Sequence, residues 1–479
     1  MSIIRNSGYN LAAALVPAAV SLVSVPLYIH AIGEARYGML AIIGSLIGYF
    51  GVFDFGLSAA TAQRIAASDA ADLPARRSIF WTAAGVNLGM GLVAAALLIP
   101  AAAAFFSTAR ASSPALQAEM IGSIGWMALA MPFMLMSSVL RGALQGAGRF
   151  AELNLINVVM GPASQLVPLA VAMFISPTLA CVLPALYAVR LAALCCQAWV
   201  IARKVTHGWT PAFDRSRVRD LLSFGGWVTV STLVDPFLNM IDRLLIASML
   251  GMKAVSHYAV PWQLAQRSLI FPGALLDAML PRIAGGTRAE AQALSLRGMR
   301  AVTALMTPLI VAGAVFVRPF LSLWISPAFA EAAAFPAQLM LVGCWFNAIG
   351  IACFIHLQAI DKPRLIATSH LIEVLPYLAC LWAGLHWFGL AGAAGAYVLR
   401  VAADDVLLAR FGGLLGELGR RVMLGAPALA LAVWLGWQMD TAPSWRAAAG
   451  VGLVVVVSLG SLVWFYGERR ALRLAFKFG

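Results

Sequence analysis

Four arginines and five carboxylates stand in stretches that are otherwise apolar. The arginines are Arg190, Arg243, Arg267 and Arg400, and the carboxylates are Asp54, Asp235, Asp242, Asp277 and Glu373. Asp235, Asn239 and Asp242 are four and three residues apart, so on a helix they share one face, with Arg243 flanking the stripe. Gln263 and Arg267 repeat the four-residue spacing further along. Guanidinium groups hold anionic oxygens through a fork of N–H donors, which makes the arginines candidate substrate-binding residues of a polar, partly cationic cavity. A carboxyl group in low dielectric favours its neutral form, so the five acids are candidates for carrying a coupling proton or cation. Each residue also has a plainer reading. Arg400 can pair with Asp404 one turn on, and Asp242 can neutralise a neighbouring arginine. Arg190 and Arg267 have no carboxylate three or four residues away on either side, which favours a cavity role for both.

The elements that must position these residues are membrane spans. The chain has 479 residues, 62% hydrophobic and 11% charged, where a soluble domain carries about 25% charge. Apolar runs near 20 residues recur throughout, each long enough to cross a hydrocarbon core of about 30 Å as a helix. Fourteen spans are predicted. Span one covers roughly 8–29, span two 38–60, span seven 222–249, span eight 255–281, spans eleven and twelve 365–387 and 389–409, and the last two 422–438 and 447–466. The fold class is therefore an all-α integral membrane protein. An ionised side chain at the centre of such a span costs on the order of 2.5 to 3.5 kcal/mol, so it faces a bundle interior or a wet cavity.

Charge placement predicts orientation. Of the 33 Lys and Arg residues, 24 fall at one set of span ends, five at the other and four inside spans, which puts both termini in the cytoplasm and fixes an even number of spans. The first apolar run is longer than a signal-peptide core and reads as span one. The net charge of +13 is spread over short loops and not gathered in a patch, so nucleic acid is excluded as a partner. The six cysteines lack metal-ligand spacing and predict neither a metal centre nor a cofactor. His30 and His257 read as interfacial. No connection exceeds about 20 residues, which leaves no room for a catalytic domain and argues against an enzyme.

The chain also repeats. Gly33 and the run Arg64-Ile65-Ala66 reappear 218 residues later as Gly251 and Arg282-Ile283-Ala284. Leu144-Gln145 matches Leu357-Gln358, and Tyr187-x-x-Arg190 matches Tyr397-x-x-Arg400 at an offset of 210. The order implies two pseudo-symmetric six-helix lobes, 1–202 and 222–421, joined by an interfacial linker at 203–221, with two C-terminal helices and a basic tail at 422–479. Gly44-x-x-x-Gly48 and Gly85-x-x-x-Gly89 predict close helix approaches.

Several motifs resemble those of polysaccharide transporters of the MOP superfamily: Arg5-Asn6 before span one, Gly33-Glu34-Ala35-Arg36-Tyr37-Gly38, Asp54-Phe55-Gly56-Leu57, Leu221-Leu222-Ser223-Phe224-Gly225, Asp242-Arg243, Pro281-Arg282 and Gly389-Leu390-Ala391-Gly392. The resemblance spans essentially the whole chain. It implies an O-antigen-type flippase that moves undecaprenyl-diphosphate-linked oligosaccharide between leaflets by alternating access, coupled to a proton or sodium ion. Its partners would be that lipid-linked oligosaccharide, membrane lipids and other polysaccharide assembly proteins. A lipid II flippase and a multidrug exporter of the same superfamily are the alternatives. The exporter reading expects an acidic residue in span one, and span one has none.

Overall fold

A computed structural model describes residues 2–69, 71–109, 111, 113–218, 237–238, 240–439 and 445–475. Every regular element among them is helical. Nine of the described helices are long and apolar enough to cross a membrane. The chain is an all-α, multi-pass membrane protein, and it divides into two compact units, Met1–Ser256 and His257–Gly479.

The first unit contains α1 (Ser2–Ile32), α2 (Glu34–Phe50), a 3-10 turn (Gly51–Asp54), α3 (Leu57–Ala67), α4 (Leu73–Thr108), α5 (Pro114–Gly146), α6 (Phe150–Phe174), α7 (Leu179–Lys204) and a helix at 240–250 (α8). Ile65, Phe80, Ala83, Val139, Leu144 and Ile201 form part of one buried cluster that joins α3, α4, α5 and α7. The second unit takes in most of α9 (Met252–Arg267), then α10 (Ile270–Ala284), α11 (Arg288–Trp324), α12 (Pro327–Ala359), α13 (Pro363–Gly412), α14 (Leu415–Trp437) and α15 (Trp445–Ala475). Trp345 of α12 is completely buried, donates its indole N–H to Thr307 Oγ1 at 3.0 Å and fills the space left by Gly425 of α14.

The unit boundary falls later in the chain than the predicted linker, because the described residues between 237 and 256 pack along α2. Lys253 Nζ lies 3.0 Å from Glu34 Oε2, the Met252 carbonyl presses on Gly38, Arg243 Nη1 donates to Ser45 Oγ, and the rings of Phe237 and Tyr49 are 6.0 Å apart. Residues 34, 38, 45 and 49 lie within about 60° of one another on a helix, so a single face of α2 makes all four contacts. The linker itself is strapped to α4. Arg77 donates to the carbonyls of Thr206 and His207 at 2.7 and 2.8 Å, and the Asp214 N–H donates to Thr82 Oγ1 at 2.9 Å. The Ser216 hydroxyl and backbone N–H hold the exposed Asp214 carboxyl below the usual carboxylate range.

Two of the predicted continuous spans are broken. Span two ends α2 at Phe50 and restarts as α3 after Phe55 and Gly56, which take φ of 44° and 71°. Span eight stops at Arg267 and restarts at Ile270. There Pro272 has no N–H to give to the Ser268 carbonyl and its ring crowds that oxygen, which breaks the ladder. Spans eleven and twelve form one long element with a non-helical break at Gly389, φ 58° and ψ −135°.

The duplicated sequence positions adopt matching local geometry. Gly33 and Gly251, 218 apart, both take positive φ (83° and 90°) just before α2 and α9, and both of those helices break about 17 residues on. Helices α5 and α12 are each 33 residues long and open on Ser-Pro. The Ser113 and Ser326 hydroxyls accept the N–H groups of Leu116 and Phe329 at 3.2 and 3.1 Å.

The predicted close approaches are elsewhere. A Cβ on Gly44, Gly48 or Gly89 would meet no described atom within 4 Å, and Gly85 receives only the Phe213 ring of the linker. Gly142 and Gly146 of α5 instead sit directly on the Ser58 and Ala62 carbonyls of α3. Small residues permit a close crossing, but the crossing forms only where the chain brings a second helix.

Candidate functional site

Arg190 lines a half-open cavity of about 300 Å³ walled by α5, α6 and α7 of the first unit, a volume at the small end of ligand sites. Helical spacing delivers its polar walls: Ser137 and Arg141 from α5, Asn157 and Ser164 from α6, and Tyr187, Arg190 and Gln197 from α7. The guanidinium of Arg190 lies 5.9 Å from the centre of the Tyr187 ring, which in turn stacks on Trp126 at 6.0 Å. No carboxylate pairs with Arg190 or Arg141 among the described residues. Gln197 is 3% exposed, and its carbonyl oxygen accepts from Ser137 at 3.3 Å. Tyr187 is 6% exposed and its hydroxyl is buried without a hydrogen-bond partner. Arg141, Asn157 and Gln197 were not among the sequence candidates. Arg141, an exposed residue, sits at a span end and counts as a topology charge until the fold places it on the lining of the same cavity, although polar residues at i, i+3, i+4 and i+7 in these spans were a readable signal.

Arg400 shows the same local arrangement in the second unit. Its guanidinium is 5.9 Å from the Tyr397 ring, the distance found for Arg190 and Tyr187, and 5.3 Å from Tyr377. Near it, α13 folds back across Gly389 and gathers titratable groups. Ligand atoms of His370, Glu373 and Asp404 all lie within 4.8 Å of one another, and Ser369 donates to Asp404 Oδ1 at 2.6 Å. Asp405 is 1% exposed and abuts Gly350, where no Cβ could fit. Glu373 was a sequence candidate and Asp404 appeared only as a partner for Arg400. His370 and Asp405 were missed because the hairpin that brings residue 370 to residue 404 is tertiary.

The other candidates separate. Asp54 ends the 3-10 turn at the break in span two, where it accepts hydrogen bonds from Asn87 Nδ2 at 2.6 Å, Ser138 Oγ at 2.5 Å and the Ser58 N–H at 3.1 Å. It joins the start of α3 to α4 and α5. Arg267 is the last residue of α9, so its charge stands at the negative end of a half-helix inside a broken span. Asp277 is exposed on α10 and belongs to neither group. Asp242 is 1% exposed and accepts the backbone N–H of Arg243 at 2.7 Å, and Arg243 reaches Ser45 on α2. Asp235 and Asn239 lie outside the described residues. His257, expected at an interface, is 7% exposed and packs edge-on against Phe329 at 4.8 Å.

Broken spans, duplicated local geometry and arginines beside aromatic rings mark a helical, multi-pass membrane protein. The profile of the polysaccharide biosynthesis protein family matches residues 3–285, more than half of the sequence, and the chain belongs to that family. It is 24% identical over 413 residues to a putative O-antigen transporter of Shigella flexneri, covering 85% of this chain and 97% of that one. Its fold is similar to that of the lipid II flippase MurJ in an inward closed conformation, with a TM-score of 0.74 over 97% of this chain and 99% of that one at 12% identity. It is also similar to an inward-facing multidrug resistance MATE family transporter of the MOP superfamily, with a TM-score of 0.65 over 88% and 95% of the two chains at 15% identity.

Proposed function

We propose that the protein is a flippase that carries undecaprenyl-diphosphate-linked oligosaccharide across the bacterial inner membrane for surface polysaccharide biosynthesis. The observation that carries the reading is Arg190: a guanidinium held in a polar cavity inside a membrane protein, with no carboxylate beside it among the described residues. An uncompensated cation there is costly unless an anion visits it. The diphosphate of a lipid-linked glycan is such an anion, and Arg243, Arg267 and Arg400 are the further candidates along its path. The sequence relationship to a putative O-antigen transporter favours a glycan lipid over the other cargoes of this fold.

Transport proceeds by rocking of two lobes, 1–202 and 222–421, and the matched geometry at Gly33 and Gly251 and at Tyr187 and Tyr397 supports that division. The coupling ion is a proton or sodium. The cluster of His370, Glu373 and Asp404 is the best supported carrier, because one imidazole and two carboxylates with ligand atoms all within 4.8 Å of one another offer several donor groups to a proton or a cation. Glu373→Gln should stop ion-driven export while sparing substrate binding, and undiminished export would remove Glu373 from coupling.

The whole reading is tested by deleting the gene. Loss of surface polysaccharide, with lipid-linked oligosaccharide accumulating on the cytoplasmic face where an external glycosidase cannot reach it in sealed spheroplasts, is the expected result. Arrested peptidoglycan synthesis would favour a lipid II flippase. Drug sensitivity with intact polysaccharide would favour an exporter.

A further inference from the structure

We infer that the cavity between α5, α6 and α7 is a glycosyl-diphosphate subsite, in which Arg141 and Arg190 hold the phosphates and the Tyr187 hydroxyl with the Asn157 and Gln197 amides reads the first sugar. The inference rests on the proposed flippase function and adds the residues and the part of the cargo they recognise.

The walls of this cavity carry unfilled hydrogen-bonding capacity. Buried polar groups in native proteins are nearly always satisfied, so the Tyr187 hydroxyl, buried without a partner among the described residues on the wall of this cavity, points to a missing one. On the same walls, among the described residues, the exposed Arg141 and the half-buried Arg190 and Asn157 make no hydrogen bond, and the buried Gln197 uses only its carbonyl oxygen, so their donors are open to a ligand in the cavity. Their unused groups are mostly donors: two guanidinium forks, two amide NH2 groups and one hydroxyl. A complementary ligand must be rich in acceptors and negatively charged, which describes phosphate oxygens. The amides and hydroxyl add directional donors that bare phosphate would not need, and these suit ring oxygens and hydroxyls of a sugar. Trp126 stacked on Tyr187 at 11° fixes that phenol ring and limits its choice of partner. A phospholipid headgroup offers the same phosphate chemistry, so the experiment must separate the two sources.

Binding of farnesyl diphosphate, farnesyl-diphosphate-N-acetylglucosamine and phosphatidylglycerol to the purified full chain in detergent would be measured side by side. Wild type should prefer the sugar-bearing diphosphate. Arg190→Gln and Arg141→Gln should each weaken both diphosphates by about ten- to a hundredfold, the worth of a charged hydrogen bond. Gln197→Leu, Asn157→Leu and Tyr187→Phe should erase the preference for the sugar and leave farnesyl diphosphate binding unchanged. Should an arginine variant fail to fold, the Tyr187→Phe result alone decides, since it removes one oxygen atom. Equal binding by all variants, or tighter and equally sensitive binding of phosphatidylglycerol, overturns the inference. If the deletion strain loses polysaccharide and these variants restore it fully, the subsite is wrong and the flippase reading stands. If the deletion strain keeps its polysaccharide, the flippase reading itself is wrong.

Discussion

Asp54 can be a mobile charge or a structural knot, and Asp54→Ala with Asp54→Asn separates the two. The carboxylate accepts three hydrogen bonds, from Asn87, Ser138 and Ser58, at 2.6, 2.5 and 3.1 Å. A hydrogen bond to a charged group contributes about 1.5 to 3 kcal/mol, so the three together would give roughly 4.5 to 9 kcal/mol if nothing compensated. Two of the donors have fallback partners. Asn87 Nδ2 also reaches the Leu135 carbonyl at 3.0 Å, and Ser138 Oγ reaches the same carbonyl at 2.8 Å. The Ser58 N–H, in the first turn of α3, has no such alternative through its helix. Asp54→Ala should therefore destabilise the protein by about 3 to 5 kcal/mol, nearer the lower bound than the sum. Asp54→Asn keeps one carbonyl oxygen for Asn87 and Ser138 but turns an NH2 group toward the Ser58 N–H, and should cost about 1 to 3 kcal/mol. The assay is thermal unfolding of a fluorescent fusion followed by size exclusion, with surface polysaccharide measured per folded molecule. Wild-type thermal stability of Asp54→Ala would refute the structural account, and full-level Asp54→Asn protein with no export would assign Asp54 to ion coupling.

Three further outcomes are expected. Gly142→Ala places a methyl group in the Ser58 carbonyl and should destabilise by about 1 to 3 kcal/mol, whereas Gly44→Ala meets no described atom and should be neutral; the two melting temperatures check this. Arg267→Ala should abolish export at near-normal protein level if the guanidinium serves the cargo, and Arg267→Lys, which keeps the charge and loses the fork of donors, should recover part of it. Loss of export in proportion to lost protein would make Arg267 structural. Reporter fusions after Lys253 and after Arg420 should give periplasmic and cytoplasmic signals respectively, as the distribution of basic residues requires; a reversal at either site sinks the orientation.

Sequence alone determined the solvent and much of the secondary structure. A lipid interior leaves helices as the economical way to satisfy the backbone, so twenty-residue apolar runs translate directly into spans, and the duplicated motifs marked positions whose geometry agrees. Turn chemistry was partly readable as well: Asp54-Phe55-Gly56 and Pro272 carry the residues that break a helix, but only the backbone shows two spans broken and Arg267 at the end of one half. Tertiary structure alone decided which charges meet. Arg190 and Arg141 stand on different helices, and Glu373 finds His370 one turn before it and Asp404 across a hairpin at Gly389. Spacing along one helix specifies a face, since its period is fixed by the backbone. Which second helix covers that face depends on packing summed over the whole unit, and that sum put Gly142 against α3 while bringing no described atom against Gly44.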